Sequence, residues 1–457
     1  MTEIFREDIN GNPHSLGEDD IKKLLLEYSL PAIVGMVIVS LYHIVDSIFI
    51  GHGIGALAIS GMAITFPIMN ILSAFSTLIG VGGATLASIR LGKKDEKGAA
   101  SILGHVTILN AINAFLLAGI AYCFLDPILR AFGASDVLLP YARDFMSVYL
   151  WGTPIIFVFI ALNNIMRVSG YPRKAMMSSF FSVGLNVILA PLFIFVFKWG
   201  MKGAALATVL SQLLGLVWVL SHFLDKKSYI HFTKGFHRLS FKTTKSMLSI
   251  GISPFLMNLC LGLAVFFINF GLMKHGGDLA VGAYGIINRI LTLFIMIVMG
   301  ITMGMQPIAG YNYGAEEFGR TFKVLKYALL WGVMVMTSGF LVAELFPHFI
   351  AGMFTTNREL ITISARGLRI ALAMFPLAGA QIVISNFFQS IGKVKISIFL
   401  SLSRQLIFLL PLLFVFPEFL GVDGVFLSLS VADFIAFVVA GFTIVYQLRR
   451  TKRKLVG

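Results

Sequence analysis

The chain has 457 residues, of which 57% are hydrophobic and only 13% are charged, and its formal net charge is +14. A soluble protein of this length carries about 25% charged residues, so the composition excludes an ordinary soluble protein and indicates a polytopic membrane protein. The positive charge does not require a nucleic-acid partner, because the cytoplasmic loops of membrane proteins collect Lys and Arg.

The first segment, 1–23, is polar and acidic and has no apolar core. It is therefore interpreted as a cytoplasmic N-terminal segment and not as a removable signal peptide. Both cysteines, Cys123 and Cys260, lie in apolar stretches and match no metal-binding or disulfide spacing.

Twelve apolar segments follow, and each is long enough for a membrane-spanning helix of about 20 residues. The predicted N-lobe, 24–224, contains helices at 24–50, 58–88, 99–124, 141–166, 174–197 and 202–224. The predicted C-lobe, 246–447, contains helices at 246–273, 280–305, 323–346, 361–390, 396–417 and 421–447. A basic cytoplasmic linker, 225–245, joins the lobes, and a basic cytoplasmic tail, 448–457, ends the chain.

Most of the Lys and Arg outside these segments fall in the N-terminus, in alternate loops and in the tail RRTKRK. The positive-inside rule predicts that these parts, and so both termini, lie in the cytoplasm. Gln306, Tyr311, Asn312 and Tyr313 are interpreted as a structural signature at the cytoplasmic end of a helix.

The second half of the chain repeats landmarks of the first half at an offset that falls only from 223 to 221 residues. The matched landmarks are Pro31 and Pro254, His52 and His275, Gly82 and Gly304, Asn164 and Asn386, Gly170 and Gly392, and Gly200 and Gly421. We therefore expect an all-α fold of two pseudo-symmetric lobes of six helices each. Because six is even, both lobes have the same orientation, as in the parallel repeats of some transporters.

The sequence contains no GxxxxGK[ST] phosphate-binding loop and no long soluble insertion. Direct use of ATP is therefore not expected, and transport against a gradient would need an ion. The sequence also lacks a nucleophile beside a base and lacks a metal cluster, either of which would indicate an enzyme. We expect no cofactor other than a proton or sodium as the coupling ion.

One carboxylate, Asp46, interrupts the apolar run SLYHIVDSIFIG at 40–51. Ionisable groups within the membrane are costly and are usually functional, so Asp46 is the first candidate for cation coupling. Tyr42 and His43 precede it at helical spacing and are included in that site. The alternatives remain open that Asp46 is an interfacial acid reaching water, and that His43 faces headgroups or packs against a neighbour.

The other charges within the predicted spans form candidate pairs. Arg289 lies at a depth similar to that of Asp46 but on the opposite lobe, so the two are expected to pair across the cleft. Arg404 and Asp433 lie on consecutive helices near mid-depth and are expected to pair with each other.

Four stretches resemble the multidrug and toxic compound extrusion (MATE) transporters, in particular their DinF-like branch. They are LPAIVGMVIVSLYHIVDSIFIG at 30–51, MKGAALATVLSQ at 201–212, GMQPIAGYNYGA at 304–315 and RQLIFLLPLLFVFP at 404–417. The resemblance covers nearly the whole chain. It implies a twelve-helix antiporter that exports organic cations and amphipathic drugs against an inward flow of protons or sodium.

The resemblance also implies a cation site in the N-lobe, formed by Asp46, Asn186 and Thr208. Members of the branch carry an Asp before the proline of helix 5, whereas this chain has Ala190. A hard cation needs several oxygen ligands, so the missing acid favours protons over sodium, and His43 adds a titratable group. A sodium ion held by the three matched residues remains the alternative.

Arg289 matches an arginine that some members pair with the acid of helix 1. A close guanidinium favours the ionised carboxylate, so we expect separation of Arg289 from Asp46 to promote protonation. Four further polar residues are candidates for the substrate cavity, namely Asn163, Asn164, Gln381 and Asn386. Tyr149 is also a possible cavity residue, or a member of an interfacial aromatic belt.

These observations predict a multi-pass, monomeric, proton-coupled multidrug antiporter of a bacterial cytoplasmic (inner) membrane, with sodium coupling less favoured. Its expected partners are small amphipathic or cationic drugs and membrane lipids, and no nucleic acid. A flippase for lipid-linked saccharides or cell-wall precursors is the alternative, and a channel is a weaker one.

Overall fold

The protein was analysed as a computed structural model that describes residues 15–132, 134–225, 228–233, 239–354 and 357–456. Some side chains within these ranges lie outside the description: 15, 39–48, 51–52, 56–57, 59–60, 63, 278 and 448–456. Three predicted coupling residues, Tyr42, His43 and Asp46, are among them.

Within the described backbone there is no strand, and twelve long helices follow one another in the predicted order. The N-lobe consists of α1 (Ile21–Gly53), α2 (Ala56–Gly92), α3 (Glu96–Cys123), α4 (Leu139–Val168), α5 (Pro172–Val196) and α6 (Gly200–Leu224). A short helix, Leu125–Ala131, connects α3 to α4. The last turn of α5, Leu192–Val196, is wound as a π-helix.

The C-lobe consists of α7 (Phe241–Gly277), α8 (Leu279–Gly314), α9 (Phe318–Leu345), α10 (Arg358–Leu372 and Phe375–Ser390), α11 (Val394–Leu420) and α12 (Val422–Val456). The two parts of α10 are bent by 50°. The middle of α11, Ser403–Leu409, is a π-helix. Gly277 has a φ of 62°, which suits glycine, and allows α7 to turn directly into α8.

The lengths and compositions of these helices suit a membrane. Over the described residues, ten of them are long and apolar enough to span a bilayer, and the bent α10 is an eleventh. The remaining helix, α1, contains the ten side chains at 39–48 that the structure does not describe.

The chain enters α1 through an N-cap at Asp20, whose carboxylate accepts hydrogen bonds from the backbone N–H groups of Lys22 at 2.9 Å and Lys23 at 3.2 Å. The N–H of Lys23 is the main cause of the lowered pKa of Asp20. Such capping satisfies donors that the first helical turn leaves free.

The two lobes meet at the end of the molecule that carries the turns at 93–95, 169–171, 315–317 and 391–393, here named the basic end. Ser88 Oγ donates to the carbonyl of Pro307 at 2.9 Å, and Gln306 Nε2 donates to Thr85 Oγ1 at 2.7 Å. The N-terminal segment joins this contact, because Asn312 Nδ2 donates to the carbonyl of Leu16 at 2.8 Å.

Glycines allow the close approach of the lobes at the basic end. A Cβ atom on Gly92 of α2 would lie 1.9 Å from the carbonyl oxygen of Tyr311, and one on Gly314 of α8 would lie 2.1 Å from that of Ile89. Both distances are shorter than any van der Waals contact. In accordance with this packing, one apolar core runs from the N-lobe into the C-lobe at this end, while a second core belongs to the N-lobe alone.

A cavity in the N-lobe as the candidate functional site

A cavity of about 270 Å³ lies inside the N-lobe, between α2, α4, α5 and α6. Its apolar wall comes from helix faces. Met62, Phe66 and Met69 recur on α2 at spacings of four and three residues, which places them on one side of the helix. On α4, Phe145 and Tyr149 follow the same spacing, and their rings stack with centroids 6.0 Å apart.

The polar wall of the cavity comes from α5 and α6. Asn186 Nδ2 donates a hydrogen bond to Thr208 Oγ1 at 3.2 Å, and the hydroxyl of Thr208 donates to the carbonyl of Ala204 at 3.3 Å. Asn186 is 3% exposed. The helices therefore bring together two of the residues that the resemblance assigns to a cation site.

Two more polar atoms line the cavity without a partner among the described residues. Ser182 lies one helical turn before Asn186 on α5 and is 2% exposed, and its Oγ makes no hydrogen bond to a described residue. Gln212 lies one turn after Thr208 on α6, and its Oε1 is also buried without a partner. A buried polar group left unpaired costs about 1–3 kcal/mol, so water or a ligand polar group is the natural partner of both.

The remaining predicted coupling residues cannot be placed in this cavity. The backbones of Tyr42, His43 and Asp46 belong to α1 of the same lobe, but their side chains lie outside the described residues. Their contribution to the site therefore remains a prediction from the sequence.

The polar residues predicted for the substrate cavity lie elsewhere. Asn163 Nδ2 donates to the carbonyl of Ala175 and to Ser178 Oγ, both at 2.8 Å, and so joins α4 to α5. Asn164 Oδ1 accepts from Arg167 Nη1 at 3.4 Å. Neither residue lines the N-lobe cavity.

The C-lobe candidates also make bonds of their own. Gln381 Nε2 donates to the carbonyl of Leu400 at 3.0 Å, and Asn386 Nδ2 donates to the carbonyl of Ile382 at 2.9 Å. The first bond joins α10 to α11 and the second lies within α10. A role in substrate binding remains a prediction for both residues.

The structure places Arg404 Nε 2.5 Å from Asp433 Oδ1, in the interior of the C-lobe. Arg289 is exposed, and its guanidinium carbon lies 5.5 Å from the ring centroid of Phe354. The expected pairing of Arg289 with Asp46 involves an undescribed side chain and remains a prediction.

The described part of the N-lobe cavity does not by itself fit a sodium ion. Its lining contains no carboxylate, and Asn186 directs an N–H group at Thr208. Ala190, where the DinF-like branch has an acid, is completely buried. Among the described residues no group of three His, Cys, Asp or Glu side chains is arranged to hold a metal.

Most residues of the cavity wall were not predicted from the sequence. Met62, Phe66, Met69 and Phe145 are ordinary residues of apolar helices, and Ser182 and Gln212 have no special spacing to each other. The only available signal was that Ser182 and Asn186 lie four residues apart on one face of α5, as do Thr208 and Gln212 on α6.

Comparison with known proteins agrees with this architecture. The MatE family model matches residues 31–192 and 254–415, which are one segment of each lobe separated by the repeat offset. The multidrug export protein MepA of Staphylococcus haemolyticus is 28% identical over 94% of this chain and 95% of its own length. MepA of Staphylococcus aureus strain N315 is 27% identical over 93% of this chain and 94% of its own.

Solved structures resemble the whole molecule. A crystal structure of a MATE protein in a bent conformation has a TM-score of 0.92 and 25% identity, and covers 98% of this chain and 99% of that one. The structure of an outward-facing multidrug resistance MATE transporter has a TM-score of 0.87 and 26% identity, and the match covers 94% of this chain and 96% of that one. These matches agree with twelve transmembrane helices in two lobes, and the two segments matched by the MatE model show that the chain belongs to the MATE family of multidrug efflux transporters.

Proposed function

We propose that the chain is a secondary active antiporter that exports organic cations and amphipathic drugs, and that proton influx drives it. Its proposed location is a bacterial cytoplasmic membrane, where it works as a monomer surrounded by lipid. The supporting observation is the N-lobe cavity, which combines an adaptable apolar wall with buried polar groups that have no partner among the described residues.

The lining of the cavity suits amphipathic cations of varied shape. Met62, Met69 and Phe66 form an apolar wall, and methionine adapts to different ligand shapes because it is flexible and polarisable. Ser182 Oγ and Gln212 Oε1 are oxygen acceptors that match the N–H groups of an organic cation. The negative charge that such a cation needs would come from Asp46 on α1.

The packing of the lobes supports alternating access. They are joined at the basic end by the bonds of Ser88 and Gln306 and by the close approach of glycines. In this arrangement access to the interior is expected from the opposite end. Export then requires that the basic end open, so the contacts of Gly92 and Gly314 must break once in each cycle.

Protons are favoured over sodium as the coupling ion because of the donors that the cavity offers. Asn186 and Thr208 supply two neutral groups that already bond each other, whereas a hard cation needs several oxygen ligands. Protonation needs only one carboxylate. In the proposed cycle, Asp46 takes up a proton from the outside and releases it to the cytoplasm when a drug enters from that side.

A flippase for lipid-linked saccharides or cell-wall precursors is the alternative. Such a substrate carries phosphates and favours a strongly cationic interior. Arg404 is partly neutralised by Asp433, and no cationic side chain is found in the described lining of the N-lobe cavity. These features favour the drug antiporter.

The test uses purified protein in liposomes, with export of the cationic dye ethidium measured under a pH gradient and, separately, under a sodium gradient. We expect the pH gradient alone to drive export, and Asp46→Asn to abolish the response. As the matched control, Asp136→Asn changes an exposed aspartate that pairs with Arg130 between α3 and α4, and it should leave transport intact.

Full proton-driven export by Asp46→Asn would refute the assigned coupling residue. Transport driven only by sodium would refute proton coupling and would require oxygen ligands beyond Asn186 and Thr208. If neither gradient moves the dye, the flippase becomes the better hypothesis.

A further inference from the structure

The interior of the C-lobe contains charges at the positions where the N-lobe has its cavity. The repeat offset is 222 residues between Gly170 and Gly392 and 221 between Gly203 and Gly424. With these offsets, Ser182 corresponds to Arg404 and Gln212 corresponds to Asp433. The two N-lobe positions whose polar atoms have no described partner are therefore occupied by an ion pair in the C-lobe.

The guanidinium of Arg404 is only partly engaged by this pair. Its Nε is bound to Asp433 Oδ1 at 2.5 Å, and no other hydrogen bond joins it to a described side chain. An arginine has five N–H donors in a planar fork. The terminal nitrogens of Arg404 therefore keep their N–H donors although the side chain is only 17% exposed.

A second donor lies at a matching position of the repeat. Tyr284 of α8 is 5% exposed. Its hydroxyl makes no hydrogen bond to a described residue. At the repeat offset of 222, Tyr284 corresponds to Met62, which lines the N-lobe cavity. Tyr284, Arg404 and Asp433 thus reproduce the positions of three cavity residues.

The backbone at this point is also unusual. Helix α11 is wound as a π-helix over Ser403–Leu409, starting one residue before Arg404. Single π-turns inside helices often occur at functional sites. The next residue, Gln405, is 5% exposed, and its Oε1 has no partner among the described residues.

We propose that Arg404, held by Asp433, forms a ligand subsite in the C-lobe for the carboxylate of a transported amphiphile. Asp433 fixes the guanidinium through Nε and neutralises the pair as a whole. The terminal N–H groups then form the positive end of a local dipole. Two parallel N–H groups match the two oxygens of a carboxylate, which is the geometry in which arginine binds carboxylates most strongly.

This subsite deepens the proposed function and rests on it, since it assumes that the ligand is an exported amphiphile. An amphiphile with both a cationic centre and a carboxylate would place its cation towards the N-lobe and its carboxylate at Arg404. An amphiphile with only a cation would not use the subsite.

The test measures binding of two dyes to purified protein by fluorescence polarisation at pH 7.5, without any ion gradient. Rhodamine 19 carries a free carboxylate and is zwitterionic, and rhodamine 6G is its cationic ethyl ester. We expect Arg404→Lys to weaken binding of rhodamine 19 about tenfold and to change that of rhodamine 6G less than twofold, because lysine keeps the charge but lacks the planar fork.

Arg366→Lys is the matched control, because Arg366 forms an exposed pair with Asp423 in the same lobe. It should change the binding of neither dye. If Arg404→Lys does not fold, the double variant Arg404→Met with Asp433→Leu removes the pair without leaving a charge, and the same selective loss of rhodamine 19 is expected.

An equal loss of both dyes, no loss of either, or no binding of rhodamine 19 to the unchanged protein would overturn the proposal. These results are separate from the test of the proposed function, which measures gradient-driven export of a cation and depends on Asp46. Selective loss of the acid dye would support the subsite even if no gradient drove transport.

Discussion

The two lobes share a fold but differ in the chemistry of their interiors. In the N-lobe, the positions of Ser182 and Gln212 face a cavity, and their polar atoms have no partner among the described residues. In the C-lobe, the corresponding Arg404 and Asp433 bind each other. The same repeat therefore forms a cavity whose described lining is polar and uncharged on one side and a compact ion pair on the other.

This difference separates two tasks that one transporter must perform. A site that exchanges protons must be able to change its charge, whereas the carboxylate of Asp433 is already bound to the guanidinium of Arg404 through a hydrogen bond. The pair in the C-lobe suits a fixed dipole that binds a ligand. The N-lobe, whose described cavity has no such pair, suits the exchange of a coupling proton at Asp46.

The largest loss of stability is expected when one member of the Arg404–Asp433 pair is removed. Asp433→Leu leaves the buried guanidinium of Arg404 without its partner, and loss of one member of a buried pair costs about 3–5 kcal/mol. The midpoint of thermal unfolding in detergent, followed by tryptophan fluorescence, should fall markedly. The double variant Arg404→Met with Asp433→Leu should recover most of the loss, because no unpaired charge remains.

Equal destabilisation of the single and double variants would show that the volume of these side chains, and not their charge, supports the C-lobe. The C-lobe interior would then be an ordinary packed core, and its contrast with the N-lobe would lose its electrostatic meaning.

A smaller effect is expected from Thr208→Val, which removes the hydroxyl that accepts the hydrogen bond of Asn186. The shape of the side chain is nearly unchanged, but the N–H group of Asn186 loses its partner, at a cost of about 1–3 kcal/mol. We expect proton-driven ethidium export in liposomes to fall about tenfold.

Thr337→Val provides the control in the C-lobe. The hydroxyls of Thr337 and Thr208 both donate to the carbonyl four residues earlier in their own helix, at 2.7 Å and 3.3 Å. Thr337 lies on α9, away from both sites, so export should remain near that of the unchanged protein. A similar decline in both variants would indicate a general effect on helix stability and would remove Thr208 from the site.

The fold was largely predictable because it depends on features that extend over many residues. Apolar segments of about 20 residues identify spanning helices, and landmarks such as Pro31 and Pro254 report the repeat directly. The local windings differ in this respect. The bend within α10 lies next to Pro376, and proline often bends a spanning helix, whereas the π-helix at Ser403–Leu409 has no distinctive composition.

The site residues were predictable only where their side chains are of a type that is rare in membrane-spanning helices. Arg404 and Asp433 were identified as a pair because charges are scarce in the spans, and Asn186 and Thr208 were identified through the resemblance. Ser182 is one of many serines, and no sequence pattern distinguishes a hydroxyl without a partner from one bonded within its own helix. That distinction depends on what the neighbouring helices place opposite it.

The smallest effect, and the most direct measure of the N-lobe cavity, is expected from two serines of α5. Ser182 Oγ is buried without a partner among the described residues, so Ser182→Ala should raise the free energy of unfolding by about 1 kcal/mol. Ser178, one turn earlier, donates to the carbonyl of Ala175 at 2.9 Å and accepts from Asn163 at 2.8 Å. Ser178→Ala should therefore lower the free energy of unfolding by about 1 kcal/mol.

Both serine variants are compared by thermal unfolding in the same detergent. Opposite signs would support a polar wall in the N-lobe that leaves Ser182 free for water or ligand. Destabilisation by Ser182→Ala would mean that ordered water already satisfies its hydroxyl, since a bridging water is nearly as good a partner as a direct hydrogen bond. In that case the polar groups of the N-lobe cavity would have hydrogen-bond partners, as the C-lobe pair does. The interiors of the two lobes would then differ only in charge.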